Sequence, residues 1–404
     1  MTSKEINSVR PLALFLAIGV LLLAMSGLSA CTTSPATGKK VISFNDLSEE
    51  KRIGQREHPK ITKQFGGIYN NPKVTNYVKQ LGNRLAKVSE LSEIGWTFTV
   101  LNSSEINAFA IPGGFIYVTR GLITLADSEA ELAGVISHEI GHVTALHSST
   151  RQATGRLAGL GAVAAGILFG QTGSKLGNII GRASVQSYSQ RQEFEADSLG
   201  VRYLSRAGYN TKTMASFLTK MRAVSKLNNR KLGRSESSVD QHSIFASHPR
   251  TLERVQRAIQ NSSRQNSGNR LGRVDYMEML HGIVYGDELK QGIIRGRDFI
   301  HPVLKFRFTV PKGYRLINSP SAVLAMTPDG AIIRFDMFFK PYRGTMTSFL
   351  RNVWASKANL ANIEPITVNG MEGATGARET RRQDGVFDLR FVAIRHSNQR
   401  IFRM

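Results

Sequence analysis

The sequence predicts an α+β protein in which a helix-rich region is followed by a β-rich C-terminal domain. Two capping boxes, beginning at Ser128 and Ser189, indicate helices, because in each a serine precedes Glu or Gln by three residues. After about Ser263, strand-like runs are separated by Pro, Gly, Asn and Asp residues. The content of 41% hydrophobic and 21% charged residues is ordinary for a globular protein.

The remaining elements follow from apolar periodicity and from turn residues. Helices are expected at 48–65, 72–88, 128–147, 189–208 and 211–227, with a further helix starting at Pro249. Strands are expected at 96–100, 106–111, 115–119, 303–310, 322–326, 331–339 and 387–394. A Gly/Ala-rich apolar segment at 157–169 is shorter than the roughly 20 residues that a membrane span needs.

The N-terminus has the three parts of a secretory signal: two basic residues, an apolar run at 11–25 and a small-residue site. Leu28-Ser29-Ala30-Cys31 resembles a bacterial lipobox, in which Cys31 is lipidated and anchors the mature protein to a membrane. Thr32 follows in place of aspartate, which favours the outer membrane facing the periplasm over the inner membrane. The alternative, a transmembrane anchor, requires a longer apolar run. Because Cys31 is the only cysteine, an intrachain disulfide is excluded.

These patterns divide the chain into a signal peptide at 1–30, a tether at 31–47, a catalytic domain at 48–265 and a β-rich domain at 266–404. The formal net charge is +23, from 53 Lys and Arg against 30 Asp and Glu. The basic residues are spread along the chain and no nucleic-acid motif accompanies them. We therefore interpret the charge as a membrane-surface or solubility property, and nucleic acid is not expected as a main partner.

The motif His138-Glu139-Ile140-Gly141-His142 predicts a zinc site. Residues four apart lie on one face of a helix, so both imidazoles can reach one ion. The glutamate between them can accept a proton from an attacking water, which makes Glu139 the candidate general base. The alternative is a solvated helix face, but the apolar neighbours of the histidines argue for burial.

A catalytic zinc has three protein ligands, so a third is expected from another helix. Glu193 and Asp197 are four apart, and Glu193 can bind the metal while Asp197 accepts the other ring N–H of a ligating histidine. Glu195 lies on another face and is the lesser candidate. The alternative is an acidic helix turn paired with Arg191 or Arg202.

Three segments together resemble the zinc metallopeptidases of the HtpX and CAAX-prenyl-protease type, BepA-like branch. They are Asn107 to Leu122, the His138 motif and Arg191 to Asp197. The resemblance covers roughly residues 48–263. It implies a gluzincin-like catalytic domain with a mostly helical body, a small β-sheet and one zinc ion per chain. It also implies that Glu193 is the ligand and Asp197 its supporting carboxylate.

The resemblance implies roles for two further segments. Asn107, Ala108, Phe109 and Ala110 match a strand along the active-site cleft, whose edge can bind extended substrate. For these residues an ordinary core strand is the alternative. His248, in Ser247-His248-Pro249, matches a motif near the site and could donate to the reaction's oxyanion or occupy the open metal position. A helix-capping role is the alternative for His248.

The leading hypothesis is a lipid-anchored zinc metalloendopeptidase that hydrolyses unfolded or misassembled envelope proteins in quality control. The chain differs from membrane-integral members because no long apolar span follows residue 31, and from BepA-like members because its C-terminal region is β-rich. A second hypothesis is an assembly factor or chaperone-like lipoprotein whose metal site is closed. A third, resting on charge alone, is a basic scaffold for anionic glycans or lipids.

Overall fold

The computed structural model describes residues 31–155, 188–231, 233, 235–237, 248, 252–319, 322–382 and 385–404. The chain forms two compact units, the first Met1–Lys63, Gly67–Leu227 and Glu236–Tyr285, the second Gln64–Gly66, Asn228–Ser235 and Gly286–Met404. Within the described ranges, no helix has the length and apolar character needed to cross a membrane. The apolar segment at 157–169 lies outside the described residues.

Of the helices that precede residue 285, those expected from the sequence lie close to their predicted positions, while the short helices Arg120–Ile123 and Arg273–Leu280 were not expected. In chain order the helices are α1 (Leu47–Gln64), α2 (Pro72–Lys87), α3 (Arg120–Ile123), α4 (Glu129–Thr144), α5 (Gln190–Arg206), α6 (Lys212–Lys231), α7 (Leu252–Arg264) and α8 (Arg273–Leu280). At α5 the capping box of Ser189 and Gln192 is complete. At α4 it is half formed, since Ser128 accepts from the Glu131 amide while the Glu131 carboxylate accepts from the amide of Asp127. Both helices therefore begin where the sequence predicts.

Two small sheets accompany these helices. Strands β1 (Cys31–Thr33) and β2 (Lys40–Ile42) pair antiparallel. Strands β3 (Thr97–Leu101), β4 (Ala108–Ile111) and β5 (Phe115–Thr119) form a sheet in the order β3-β5-β4. In that sheet β3 runs parallel and β4 antiparallel to β5. Among the strands of the described residues, β4 is consequently an edge strand of this sheet, with β5 on one side only.

Glycines allow α4 and α5 to approach closely. A Cβ on Gly141 would lie 3.0 Å from the Ala196 carbonyl oxygen, and one on Gly200 would lie 3.2 Å from the backbone nitrogen of His138. Both distances are tighter than an ordinary van der Waals contact, so side chains at these positions would push the helices apart. The close crossing brings the first turn of α5 beside the histidine motif on α4.

The second unit is β-rich, as the sequence predicts. A three-stranded sheet contains β6 (Ile293–Arg295), β7 (Asp298–His301) and β8 (Phe306–Thr309). The other strands are β9 (Arg315–Ser319), β10 (Ala322–Met326), β11 (Ile332–Phe338), β12 (Ala361–Val368), β13 (Met371–Arg382), β14 (Gly385–Ser397) and β15 (Arg400–Arg403). They form a seven-stranded sheet in the order β12-β13-β14-β15-β11-β10-β9. Short helical turns occur at Leu289–Gln291, at Met346–Phe349 and at Leu350–Trp354.

The boundary between the units differs from the position expected at 265/266, since the first unit extends to Tyr285. Helix α8 belongs to this unit because Tyr276 is fully buried there and its hydroxyl donates to the Ile123 carbonyl at 2.6 Å. The loss of helical pattern after Ser263 thus precedes the true boundary by one short helix. Tyr276 and Met279 of this helix are both buried in the hydrophobic core of the first unit.

Residues 31–47, which were expected to form a tether, pack as part of the first unit. Ser34 donates through its hydroxyl to the Thr144 carbonyl at 3.3 Å, and the Ala36 amide donates to the same oxygen at 3.3 Å. Arg202 donates to the Ala36 carbonyl at 3.0 Å. The β1–β2 hairpin is thereby held at the C-terminal end of α4, where carbonyl groups lack partners within the helix.

Candidate metal and active site

The two histidines of the motif project from the same face of α4. Their Nε2 atoms are 3.0 Å apart, and the side chains of both residues are buried, His142 completely. Burying two imidazoles with facing ring nitrogens is unfavourable unless those nitrogens share a proton or a cation. The pair therefore marks a position at which a positive ion is expected.

Glu193 completes a three-ligand set from the first turn of α5. Its Oε1 lies 3.6 Å from Nε2 of His142 and its Oε2 lies 3.6 Å from Nε2 of His138. Tetrahedral zinc with bonds of 2.0–2.2 Å separates its ligand atoms by roughly 3.3–3.6 Å. The separations from Glu193 lie in this range, while the two histidine nitrogens are closer together, at 3.0 Å. The structure thus brings the three predicted ligands together around one candidate metal position.

Asp197 supports His138 as the sequence predicts, but its charge partner is neither Arg191 nor Arg202. Its Oδ1 is 2.9 Å from Nδ1 of His138, and both carboxylate oxygens accept from Arg254 of α7 at 2.7 and 2.8 Å. Burial raises the pKa of Asp197, but the Arg254 guanidinium outweighs burial and holds that pKa well below its usual range. A bidentate arginine therefore keeps the supporting carboxylate ionised.

Arg254 also contacts the candidate metal ligand Glu193, since its Nη1 lies 2.7 Å from Oε2 of that residue. Burial raises the pKa of Glu193, while the charges of His248 and Arg254 lower it and leave it below the ordinary value. In the sequence, Arg254 follows Pro249 of the Ser247-His248-Pro249 motif by five residues. Its role as counterion to two buried carboxylates requires the packing of α7 against α5.

Sequence reasoning missed the residues on the other side of His142. His147 places Nδ1 2.9 Å from Nδ1 of His142, and its Nε2 lies 3.3 Å from Oε2 of Glu195. Tyr188 stacks on the His142 ring at a centroid distance of 3.9 Å. The hydrogen bond from His147 and the nearby ammonium of Lys39 lower the pKa of Glu195 to about 2. The signal in the sequence that could have indicated these contacts was a third histidine, His147, five residues after His142.

Glu139 lies beside the metal position, with its side chain 2% exposed. Among the described residues, none forms a hydrogen bond with its Oε2 atom. His248 reaches the same place, with Nε2 3.5 Å from Oε1 of Glu139 and Nδ1 3.3 Å from Nε2 of His138. The His248 Nδ1 is also 2.8 Å from Oε1 of Glu193. Burial lowers the pKa of His248, but the carboxylates of Glu193 and Glu139 outweigh it and raise that pKa.

A small pocket of about 50 Å³ adjoins Glu139 and His138. Strand β4 reaches it through Ala108, and Asn107, just before the strand, also lines it. The apolar wall of the pocket is formed by Leu122, Val135, Met214, Phe217, Leu218 and Met221. The predicted substrate strand thus lies at the site, and its outer edge lacks a strand partner in the small sheet.

The other predicted strand residues pack into the fold. Phe109 stacks on Tyr117 with centroids 5.0 Å apart, and Ala110 is buried. The core role that the alternative allowed therefore applies to Ala110, while Phe109 is half-buried. Cys31 is exposed and has no disulfide partner.

Residues 72–261 match the model of Peptidase family M48. This part of the chain is thus similar to the peptidases of family M48. The histidine motif, Glu193 and Asp197 all lie within the matched residues. The prediction of a metallopeptidase domain is therefore confirmed, together with its α+β fold.

Individual relatives agree with the family. The chain is similar to the beta-barrel assembly-enhancing protease of Escherichia coli (strain K12), at 31% identity over 202 residues, 47% of this chain and 41% of that protein. It is also similar to the mitochondrial metalloendopeptidase OMA1 of Schizosaccharomyces pombe (strain 972 / ATCC 24843), at 26% identity over 219 residues, 53% of this chain and 62% of that protein. The metalloprotease YcaL of Escherichia coli (strain K12) is 29% identical over 192 residues, 45% of this chain and 70% of that protein. The chain spans less than half the length of the assembly-enhancing protease.

Proposed function

We propose that this protein is a zinc metalloendopeptidase that holds one zinc ion through His138, His142 and Glu193. The observation that carries the proposal is a buried site in which the two histidine Nε2 atoms are 3.0 Å apart and each lies 3.6 Å from an oxygen of the Glu193 carboxylate. Two nitrogens and one carboxylate oxygen are a donor set that suits zinc, and three ligands are typical of a catalytic site. The names of the relatives support a peptidase reaction.

Glu139 is the proposed general base. When bound, the ion polarises the scissile carbonyl and lowers the pKa of a water molecule beside it. Glu139 accepts a proton from that water and later donates it to the departing amine. Its Oε2 atom is suited to this task because no other described residue forms a hydrogen bond with it.

Substrate is proposed to bind as an extended strand along the outer edge of β4. An edge strand offers backbone N–H and C=O groups to any extended peptide, which favours broad sequence specificity. The apolar pocket next to Glu139 would accept one apolar side chain near the scissile bond, because its wall consists of aliphatic, aromatic and thioether groups. Unfolded proteins expose both features, so they are the expected substrate class.

Peptidase activity is tested with casein or a quenched fluorescent peptide, comparing the wild type with Glu139→Gln. The wild type should cleave and should lose activity with a chelator, and zinc should restore it. Glu139→Gln should retain about one zinc per chain yet lower kcat by roughly 10²-fold or more, since only the base is lost. Cleavage that is insensitive to chelator, or that survives in Glu139→Gln, would contradict the proposal.

The setting proposed for this activity is the bacterial envelope, with the protein anchored through lipid on Cys31 and acting in quality control of misassembled proteins. The lipobox-like sequence, the exposed Cys31 and the name of the assembly-enhancing relative support it. The outer membrane facing the periplasm is preferred because Thr32 follows the cysteine. Fractionation of wild type and Cys31→Ser tests this, and a Cys31→Ser protein that stays with the outer membrane would contradict it.

A second function is favoured by the position of His248. Its Nδ1 lies 2.8–3.3 Å from donor atoms of Glu193 and His138, so it can serve as a fourth ligand. A closed site with four protein ligands is typical of structural zinc. With such a site the protein would act as an assembly factor or chaperone-like lipoprotein. Equal complementation of a deletion strain by wild type and Glu139→Gln would support this function. Activity that rises in His248→Ala would instead indicate a peptidase held inactive.

A further inference from the structure

His142 is supported differently from His138. One ring nitrogen of His142, Nε2, faces the metal position, and the other, Nδ1, lies 2.9 Å from Nδ1 of His147. A neutral imidazole that ligates through Nε2 carries its hydrogen on Nδ1. His142 therefore donates this hydrogen, and Nδ1 of His147 accepts it.

The same logic fixes the next two contacts. Because His147 accepts at Nδ1, its own hydrogen is on Nε2, which lies 3.3 Å from Oε2 of Glu195. The other oxygen of Glu195 accepts from Nζ of Lys39 at 2.6 Å. Lysine can only donate and a carboxylate can only accept, so the Glu195 carboxylate accepts from His147 on one side and from Lys39 on the other.

The backbone aims His147 at this position. Helix α4 ends at Thr144, and Leu146 then adopts φ 57°, a left-handed conformation that is uncommon for leucine. The turn returns the chain beneath the last helical residues and places His147 beside His142, with His147 only 3% exposed. The unfavourable backbone conformation is maintained by packing around it.

We propose that His147, backed by Glu195, is a positioning residue that fixes the tautomer and orientation of His142 for metal binding. Lys39, between strands β1 and β2, is the last residue in this series of hydrogen bonds. It connects the N-terminal segment after Cys31 to the proposed metal site. The inference rests on the proposed metal site, but its readout is metal affinity rather than catalysis. For His138, the carboxylate of Asp197 contacts the ring directly and fixes its tautomer and orientation in the same way.

The test measures the zinc dissociation constant of the full chain by competition with a chromophoric chelator, and the visible spectrum of the cobalt-substituted protein. His147→Leu should weaken zinc binding by about 10–100-fold and change the cobalt spectrum. His147→Gln should stay within about 5-fold of wild type, because the amide can accept from His142 and donate to Glu195. Glu195→Gln should weaken binding in the same direction, and Lys39→Gln by less than about 3-fold, since Lys39 is 64% exposed.

His58→Gln is the matched control, because this histidine of the same unit bonds only to Tyr117 among the hydrogen bonds described. The proposal is overturned if folded His147→Leu binds zinc within 2-fold of wild type, or if His147→Gln and His147→Leu lose affinity equally. Should His147→Leu fail to fold, Glu195→Gln decides, and an unchanged affinity there overturns the proposal. Failure of peptide cleavage with these affinity shifts intact would overturn only the proposed peptidase function.

Discussion

Replacing Arg254 by methionine should destabilise the first unit strongly. Its guanidinium makes three contacts of 2.7–2.8 Å with the carboxylates of Asp197 and Glu193, and all three residues are buried. Removing one partner of a buried ion pair costs about 3–5 kcal/mol, because it leaves an uncompensated charge without water. Here two buried carboxylates lose their cationic partner, so the loss of unfolding free energy should lie at the upper end of that range.

The measurement is denaturant unfolding of the metal-free protein followed by circular dichroism. Arg257→Met is the matched control on the same helix, since Arg257 is 50% exposed and pairs with Glu253 one turn away. That surface pair should contribute less than about 1 kcal/mol. Adding Asp197→Asn to Arg254→Met should recover part of the loss because one stranded charge is removed. An Arg254→Met protein within 1 kcal/mol of wild type would refute this reasoning.

Further outcomes are expected from the same contacts. Gly141→Val should weaken zinc binding at least about 10-fold in a chelator competition, because separating α4 from α5 moves Glu193 away from the histidines. Glu129→Gln should lower the free energy of unfolding at neutral pH, since Glu129 is buried and accepts from Tyr209 at 2.6 Å. Burial raises the pKa of Glu129, but its hydroxyl and arginine partners outweigh this and lower it. The difference in free energy of unfolding between wild type and Glu129→Gln should therefore be fully present above the carboxyl pKa of the unfolded state. It should disappear as the pH falls through the lower pKa that Glu129 has in the folded state. Phe217→Ala should enlarge the pocket beside Glu139, which a shift of peptide preference toward larger apolar side chains would reveal.

The local elements could be predicted from the sequence because their causes are local. Capping serines begin α4 and α5, and the four-residue spacing of His138 and His142 alone puts both rings on one helix face. The edge strand β4 was also predictable in position from the turn after it. The order of the C-terminal strands was not, since strand neighbours depend on contacts between residues far apart in the chain.

The sequence by itself therefore determined the residue types of the candidate metal site and the helices that carry them. Only the tertiary structure decided which charged groups surround them. Arg254 pairs with Asp197 across 57 positions and Lys39 reaches Glu195 across 156, and neither Arg191 nor Arg202 takes the role that proximity in sequence suggested. Such partners are chosen by the close glycine-mediated crossing of α4 and α5 and by the packing of α7, because ion pairs form only where packing has already brought charges together and excluded water.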